Sequence, residues 1–230
     1  MGATEINNAL QSNVLEDRII DMITERLQSG EKFPTETQLA KDLGVSRTAL
    51  RETLSPFEAS GIIVSKQGSG RYVQLPDVSV QIVDSWRILL RAKPDMLLSF
   101  LEIRSMLEIS SLGKAIERAD AAQLQHMGLQ VRIMKKKAAR GEAFVHEDRE
   151  FHKTLFISTG NIMLEQLLTA FWDLFESSPL NKQHSDLVEV ADKHERMLEA
   201  FTRKDLSQLE NLMNDQFADA RYRIVVALNK

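Results

Sequence analysis

Apolar residues between positions 14 and 27 fall at Val14, Leu15, Ile19, Ile20, Met22, Ile23 and Leu27, a spacing that lays one apolar stripe along a helix. Gly30 and Pro34 follow as stop signals. Thr35, with Glu36 and Gln38 behind it, caps the start of a short helix through Leu43. Gly44 makes the turn, and Ser46 caps the next helix from Arg47. Past Gly61 the pattern becomes β-type: Ile62–Ser65 and Arg71–Gln74 flank the turn Gln67–Gly70 and predict a hairpin. The order helix, helix, Gly turn, capped helix, hairpin predicts a winged helix-turn-helix that ends at Pro76 and Asp77.

Beyond Val78 the periodicity is helical throughout, with spans near 79–91, 95–119, 121–139, 142–159, 161–178, 185–203 and 205–228. Pro94, Asp120, Gly141, Gly160-Asn161, Ser177-Ser178-Pro179 and Lys204-Asp205 separate them. The short connections predict antiparallel neighbours. The fold class is therefore mainly α: three helices and a β-hairpin over residues 10–76, a linker and connecting helix over 77–94, and an all-α antiparallel bundle over 95–230.

Composition sharpens this in two respects. The 43% apolar and 27% charged content is that of a soluble globular protein. No apolar run approaches the ~18 residues of a membrane span, and Met1–Leu10 lacks the basic stub and apolar run of a signal peptide. Ile6 breaks the myristoylation pattern that Met1-Gly2 begins. Absence of cysteine excludes disulfides and zinc–thiolate sites and fits a reducing compartment, so the expected location is cytoplasmic, with no membrane partner. The net charge of −4 points to no polyanion. Residues 1–75 carry eight Lys/Arg against ten Asp/Glu, so a DNA-binding role requires the basic residues to share one face.

The helix opening Ser46-Arg47-Thr48-Ala49-Leu50-Arg51 has the form of a recognition helix, whose N-terminal residues reach base edges in the major groove. Arg47 and Arg51 lie one turn apart on one face, and a guanidinium matches guanine O6 and N7. Ser46 and Thr48 can donate to phosphates at the helix N-terminus. The tip Gln67-Gly68-Ser69-Gly70 can approach the backbone or minor groove, flanked by Lys66 and Arg71. The plainer alternative pairs the two arginines with Glu52 or Glu58 on a solvated face; the surrounding order of elements favours DNA. Pro56, inside the same helix, deletes one hydrogen bond and predicts a distortion over Glu52–Pro56.

Downstream, Asp148 and His152 stand one helical turn apart, facing the same way, and His194 can join them from another helix. A carboxylate with two imidazoles suits Zn²⁺, Ni²⁺, Mn²⁺ or Fe²⁺. Such a pair is also a common surface hydrogen bond. His126, His146 and His184 have no well-spaced partner and read as surface or structural residues.

Residues Phe33–Ala40, Leu43–Thr48, Leu50–Glu52, Gly61–Ile63 and Gly68–Val73 together resemble the GntR family of regulators. The resemblance implies DNA contacts from Ser46, Arg47, Thr48, Arg51, Gln67 and Gly68. Thr37 stands where many members carry arginine. Residues 95–228 resemble the FCD ligand-binding domain of the FadR subgroup, through Leu101–Arg104, Leu107-Glu108, Asp148–His152, Gly160-Asn161 and His194–Ala200. That implies a divalent metal on Asp148, His152 and His194, with Gln216 at the fourth ligand position, where histidine is usual.

It further implies a small carboxylate effector, such as an organic or sugar acid, paired with Arg104. A salt bridge from Arg104 to Glu108 or Glu102 is the other reading of that arginine. The expected protein is a homodimeric, effector-responsive regulator of operator DNA, a repressor and not an enzyme. A metal-dependent enzyme using Asp148, His152 and His194, and an acyl-CoA-responsive member of the same family, are the alternatives.

Overall fold

The computed structural model describes residues 3–178 and 186–229. His184 and Pro179 lie outside the described residues, as does the expected helix start at 185. The chain divides into two compact units, Met1–Asp77 and Val78–Lys230.

In the first unit α1 (Ala3–Ser29) starts well before the apolar stripe that announces it, then α2 (Glu36–Leu43) and α3 (Arg47–Ala59) follow. The caps are those the sequence implies. Thr35 accepts from the Gln38 amide at 3.3 Å and Ser46 accepts from the Ala49 amide at 3.2 Å. Gly44 takes φ +69° between the two helices, a left-handed conformation that a Cβ disfavours. Strands β1 (Ile63–Lys66) and β2 (Gly70–Val73) pair antiparallel, Ile63 opposite Val73 and Lys66 opposite Gly70. Phe33 adds a single bridge to Arg71. Ile19, Leu39, Leu50, Leu54 and Ile63 close one small core beneath these elements.

Pro56 does not end α3, which continues to Ala59. Proline removes one amide donor, but the turns after it are tied off independently. Ile62 N–H donates to the Phe57 carbonyl at 2.9 Å and Gly61 N–H to the Glu58 carbonyl at 3.0 Å, with Gly61 at φ +71°. This Schellman arrangement satisfies the last carbonyls. The helix is thus assigned without a break over Glu52–Pro56, where the sequence predicts a distortion.

The second unit contains α4 (Val78–Ala92), α5 (Met96–Arg118), α6 (Ala121–Ala138), α7 (Val145–Ile157), α8 (Ile162–Ser177), α9 (Leu187–Thr202) and α10 (Leu206–Leu228). Asp120, Asn161, Asp186 and Asp205 each cap a helix start with a side-chain oxygen. The helices pack α5 with α10, α6 with α7 and α9, and α4 with α8. Trp86, Phe100 and Phe171 form an aromatic cluster, with Trp86 4.8 Å from each of the others. A continuous core including Leu112, Met127, Phe151, Leu155 and Phe201 fixes where α5, α7, α9 and α10 stand.

Gly44→Ala puts a Cβ on a left-handed backbone with open space around it, so only the conformational cost applies. A loss of about 1 kcal/mol is expected in urea unfolding, with Gly44→Asn losing less. Equal losses would show that side-chain bulk, not backbone conformation, decides the position.

Candidate functional site

Ser46, Arg47, Thr48 and Arg51 at the start of α3 are all exposed, as are Gln67 and Gly68 at the hairpin tip. Ser46 spends a lone pair on its cap bond and keeps its hydroxyl proton for donation. Arg51 pairs with neither Glu52 nor Glu58. Its Nε donates to Glu36 Oε2 at 2.7 Å, while the side chain stays 62% exposed. That contact, a hydrogen bond first and charge attraction second, holds the Glu36 carboxyl below its ordinary value. So exposed a pair is weak enough for a phosphate or base to displace. Arg71 behaves differently: it pairs with Glu58 and lies over the Phe33 ring at 5.7 Å, binding the wing to α3. Lys66 lies 4.8 Å over the Tyr72 ring.

In the second unit α7 and α9 bring Asp148, His152 and His194 together. His194 Nε2 lies 2.9 Å from Asp148 Oδ1 and 3.3 Å from His152 Nε2. The three ligand atoms all fall within 4.8 Å of one another. Two nitrogens each ~2.0–2.1 Å from one tetrahedral ion would stand about 3.3 Å apart, so the spacing fits a zinc-sized centre. The His194 Nδ1–H is turned to the Val190 carbonyl, 2.8 Å away, which orients Nε2 inward.

Burial alone would depress the His194 imidazole, but the Asp148 hydrogen bond and charge, with the Val190 carbonyl, raise it instead. Burial pushes His152 down to about 4, against the charges of Asp148 and Glu108. Asp148 is driven up by burial, yet the His194 contact outweighs this and holds it well below the usual carboxylate range. His126 and His146, by contrast, are exposed and apart from the cluster.

Gln216 on α10 reaches the same point. Its Nε2 lies 3.0 Å from His152 Nε2, while its buried Oε1 has no partner. Amide nitrogen and oxygen exchange places on rotation of the terminal bond, so Gln216 can offer an oxygen to a cation at the cluster. The donor set of two imidazoles, a carboxylate and an amide oxygen fits a divalent ion.

Beside it opens a cavity of about 140 Å³, lined by Arg104, Asp148, His194, Gln216, Lys193 and Arg223 among others. Arg104 makes the Glu108 salt bridge, Nε to Oε1 at 2.6 Å, and no pair with Glu102 among the described residues. Glu108 is fully buried and also accepts from Trp172 Nε1 at 3.2 Å. The Arg104 guanidinium lies 5.4 Å from the Phe175 ring and 5.6 Å from Phe217. The salt bridge engages Nε, and Arg104 also lines the cavity. The two sequence readings of Arg104 are thus compatible. Arg223 was not singled out by its sequence context. The available signal was its place seven residues after Gln216, two turns along the same face of α10.

A winged helix-turn-helix head with an exposed arginine pair, in one chain with a helical unit holding a polar cavity, defines a DNA-binding regulator with its own sensing domain. Residues 99–219 match the FCD domain, and residues 11–73 match the bacterial regulatory proteins of the gntR family. The chain belongs to the GntR family of bacterial transcription regulators, in the branch that carries an FCD domain. It is 28% identical over 194 residues to the HTH-type transcriptional regulator LutR of Bacillus subtilis strain 168, covering 81% of this chain and 88% of that protein. It is 27% identical over 207 residues to the Uxu operon transcriptional regulator of Escherichia coli K12, covering 85% and 79%. The solved structure of Streptococcus agalactiae GntR shares the fold, with TM-score 0.70 at 22% identity over 92% of this chain and 99% of that one.

Removing one member of a buried ion pair strands the other. Glu108→Ala should therefore cost about 3 kcal/mol in urea unfolding. Glu108→Gln, which can still accept from Trp172, should cost less. A loss below ~1 kcal/mol for the alanine variant would show that water replaces the carboxylate beside Arg104.

Proposed function

We propose that the chain is an effector-responsive regulator, acting as a cytoplasmic homodimer, that represses transcription by binding operator DNA until a small carboxylic acid enters the cavity beside Arg104. The observation that carries this is the convergence of Asp148, His152 and His194 at a cavity that Arg104 also lines, within the unit not concerned with DNA. Residues 10–76 would read DNA, 77–94 would connect, and 95–230 would sense the effector and dimerise. Recognition of the DNA falls to Arg47 and Arg51 at base edges, Ser46 and Thr48 at phosphates, and Gln67 and Gly68 at the wing. Two heads are needed because half-sites recur about 34 Å apart along DNA, or at multiples of that spacing.

Asp148, His152 and His194 would hold a divalent ion, zinc, nickel or manganese, with Gln216 as the fourth donor. Such an ion supplies open coordination positions to an acid's oxygens. Arg104 takes the carboxylate through two parallel hydrogen bonds. The effector switches the protein by its different affinity for the DNA-competent and incompetent arrangements. A metal-dependent enzyme is the weaker reading of the same cluster, because it leaves the DNA-binding head without a role.

About one divalent ion per chain is expected by elemental analysis of the untagged protein, lost in Asp148→Ala and in His194→Ala. No uptake after incubation with zinc, nickel and manganese would remove the metal from the proposal. Fluorescence anisotropy on a duplex selected from random sequence should show Arg47→Ala and Arg51→Ala each weakening binding by about 1–3 kcal/mol, with little change on scrambled DNA. Equal loss on both duplexes would assign these arginines to phosphates.

A further inference from the structure

Arg223 has a place in the cavity that a single carboxylate does not explain. Its Nε is buried and has no hydrogen-bond partner. Burial lowers the pKa of its guanidinium, with Asp219 and Asp148 opposing the shift. Both of those carboxylates are engaged elsewhere: Asp219 pairs with Lys193, and Asp148 is hydrogen-bonded to His194. A partly desolvated cation whose nearest anions face other partners is an anion site in waiting.

The other cations of the pocket are paired: Arg104 with Glu108, and Lys193 with Asp219 and Glu189. Arg223 lines the same cavity and forms no ion pair among the described residues.

We propose that the effector is a dianionic acid, one acid group on Arg104 and the metal side of the cavity and the second on Arg223. This rests on the reading of the cavity as the effector site and narrows it. Arg223 is then the residue that separates diacids from monoacids, because a monoacid leaves its guanidinium as it is in the empty pocket.

The test is calorimetric titration of manganese-loaded full-length protein with L-malate and succinate, against 3-hydroxybutyrate and butyrate as single-acid controls of equal carbon count. The diacids should bind at least about tenfold tighter than their controls. Arg223→Gln should erase that gap while leaving the monoacids unchanged, Arg223→Lys should keep part of it, and Arg104→Gln should weaken both classes. Thermal melting of each variant checks that it folds. Equal affinity for malate and 3-hydroxybutyrate, or an Arg223→Gln variant that weakens both alike, overturns the assignment and makes Arg223 a structural counter-charge. If no acid binds while manganese does, the carboxylate-effector reading itself fails and this inference falls with it.

Discussion

The second unit turns on one constraint: two imidazole nitrogens and a carboxylate oxygen are driven to one point in a largely dry interior. Three electron-rich atoms within 4.8 Å repel one another unless a cation, a proton or a metal ion, lies among them. The packing enforces the approach. Phe151 and His152 are neighbours in the core of α7, and Phe151 meets the His194 ring edge-on at 5.0 Å. The Val190 carbonyl then fixes which nitrogen of His194 faces inward. Because Gln216 reaches the same point from α10, any cation placed there ties α7, α9 and α10 together. A cation there would couple the packing of these three helices to the occupancy of one small site.

Glu108 extends that coupling to the cavity. Its carboxylate is wholly buried, accepts from Trp172 on α8 and from Arg104 one turn earlier on α5, and acts through its charge on His152. Burying such an ion costs several kcal/mol before its partners offset it, so the arginine is held in place by the core and not by the effector. A guanidinium oriented in advance would lose little freedom on taking up an anionic ligand. The DNA-binding unit follows the opposite logic. Its core is small, its helices begin on local caps, and Arg51 rests in an exposed pair with Glu36 that costs little to break.

What the chain's order of residues determined was local. Thr35, Gly44, Ser46, Asp120 and Asn161 act within three or four residues of themselves, so caps and turns are legible without knowing what packs on what. Helical periodicity placed the bundle's helices because one apolar face per helix must be buried whatever it meets. Asp148 and His152 were legible for the same reason, being one turn apart; His194 could be offered only as a partner from another helix, and the family resemblance supplied Gln216. Pro56 misled in part, because its cost depended on the Schellman closure at Gly61 and Ile62 downstream.

Tertiary structure alone decided which partner each charged side chain took. Arg51 chose Glu36 over Glu52 or Glu58, Arg104 took Glu108 through Nε while also lining the cavity, and Arg223 was left beside carboxylates already engaged. Pair choice depends on distances between helices far apart in sequence and on how much water remains around each group. Neither quantity is written in the spacing of residues along one helix.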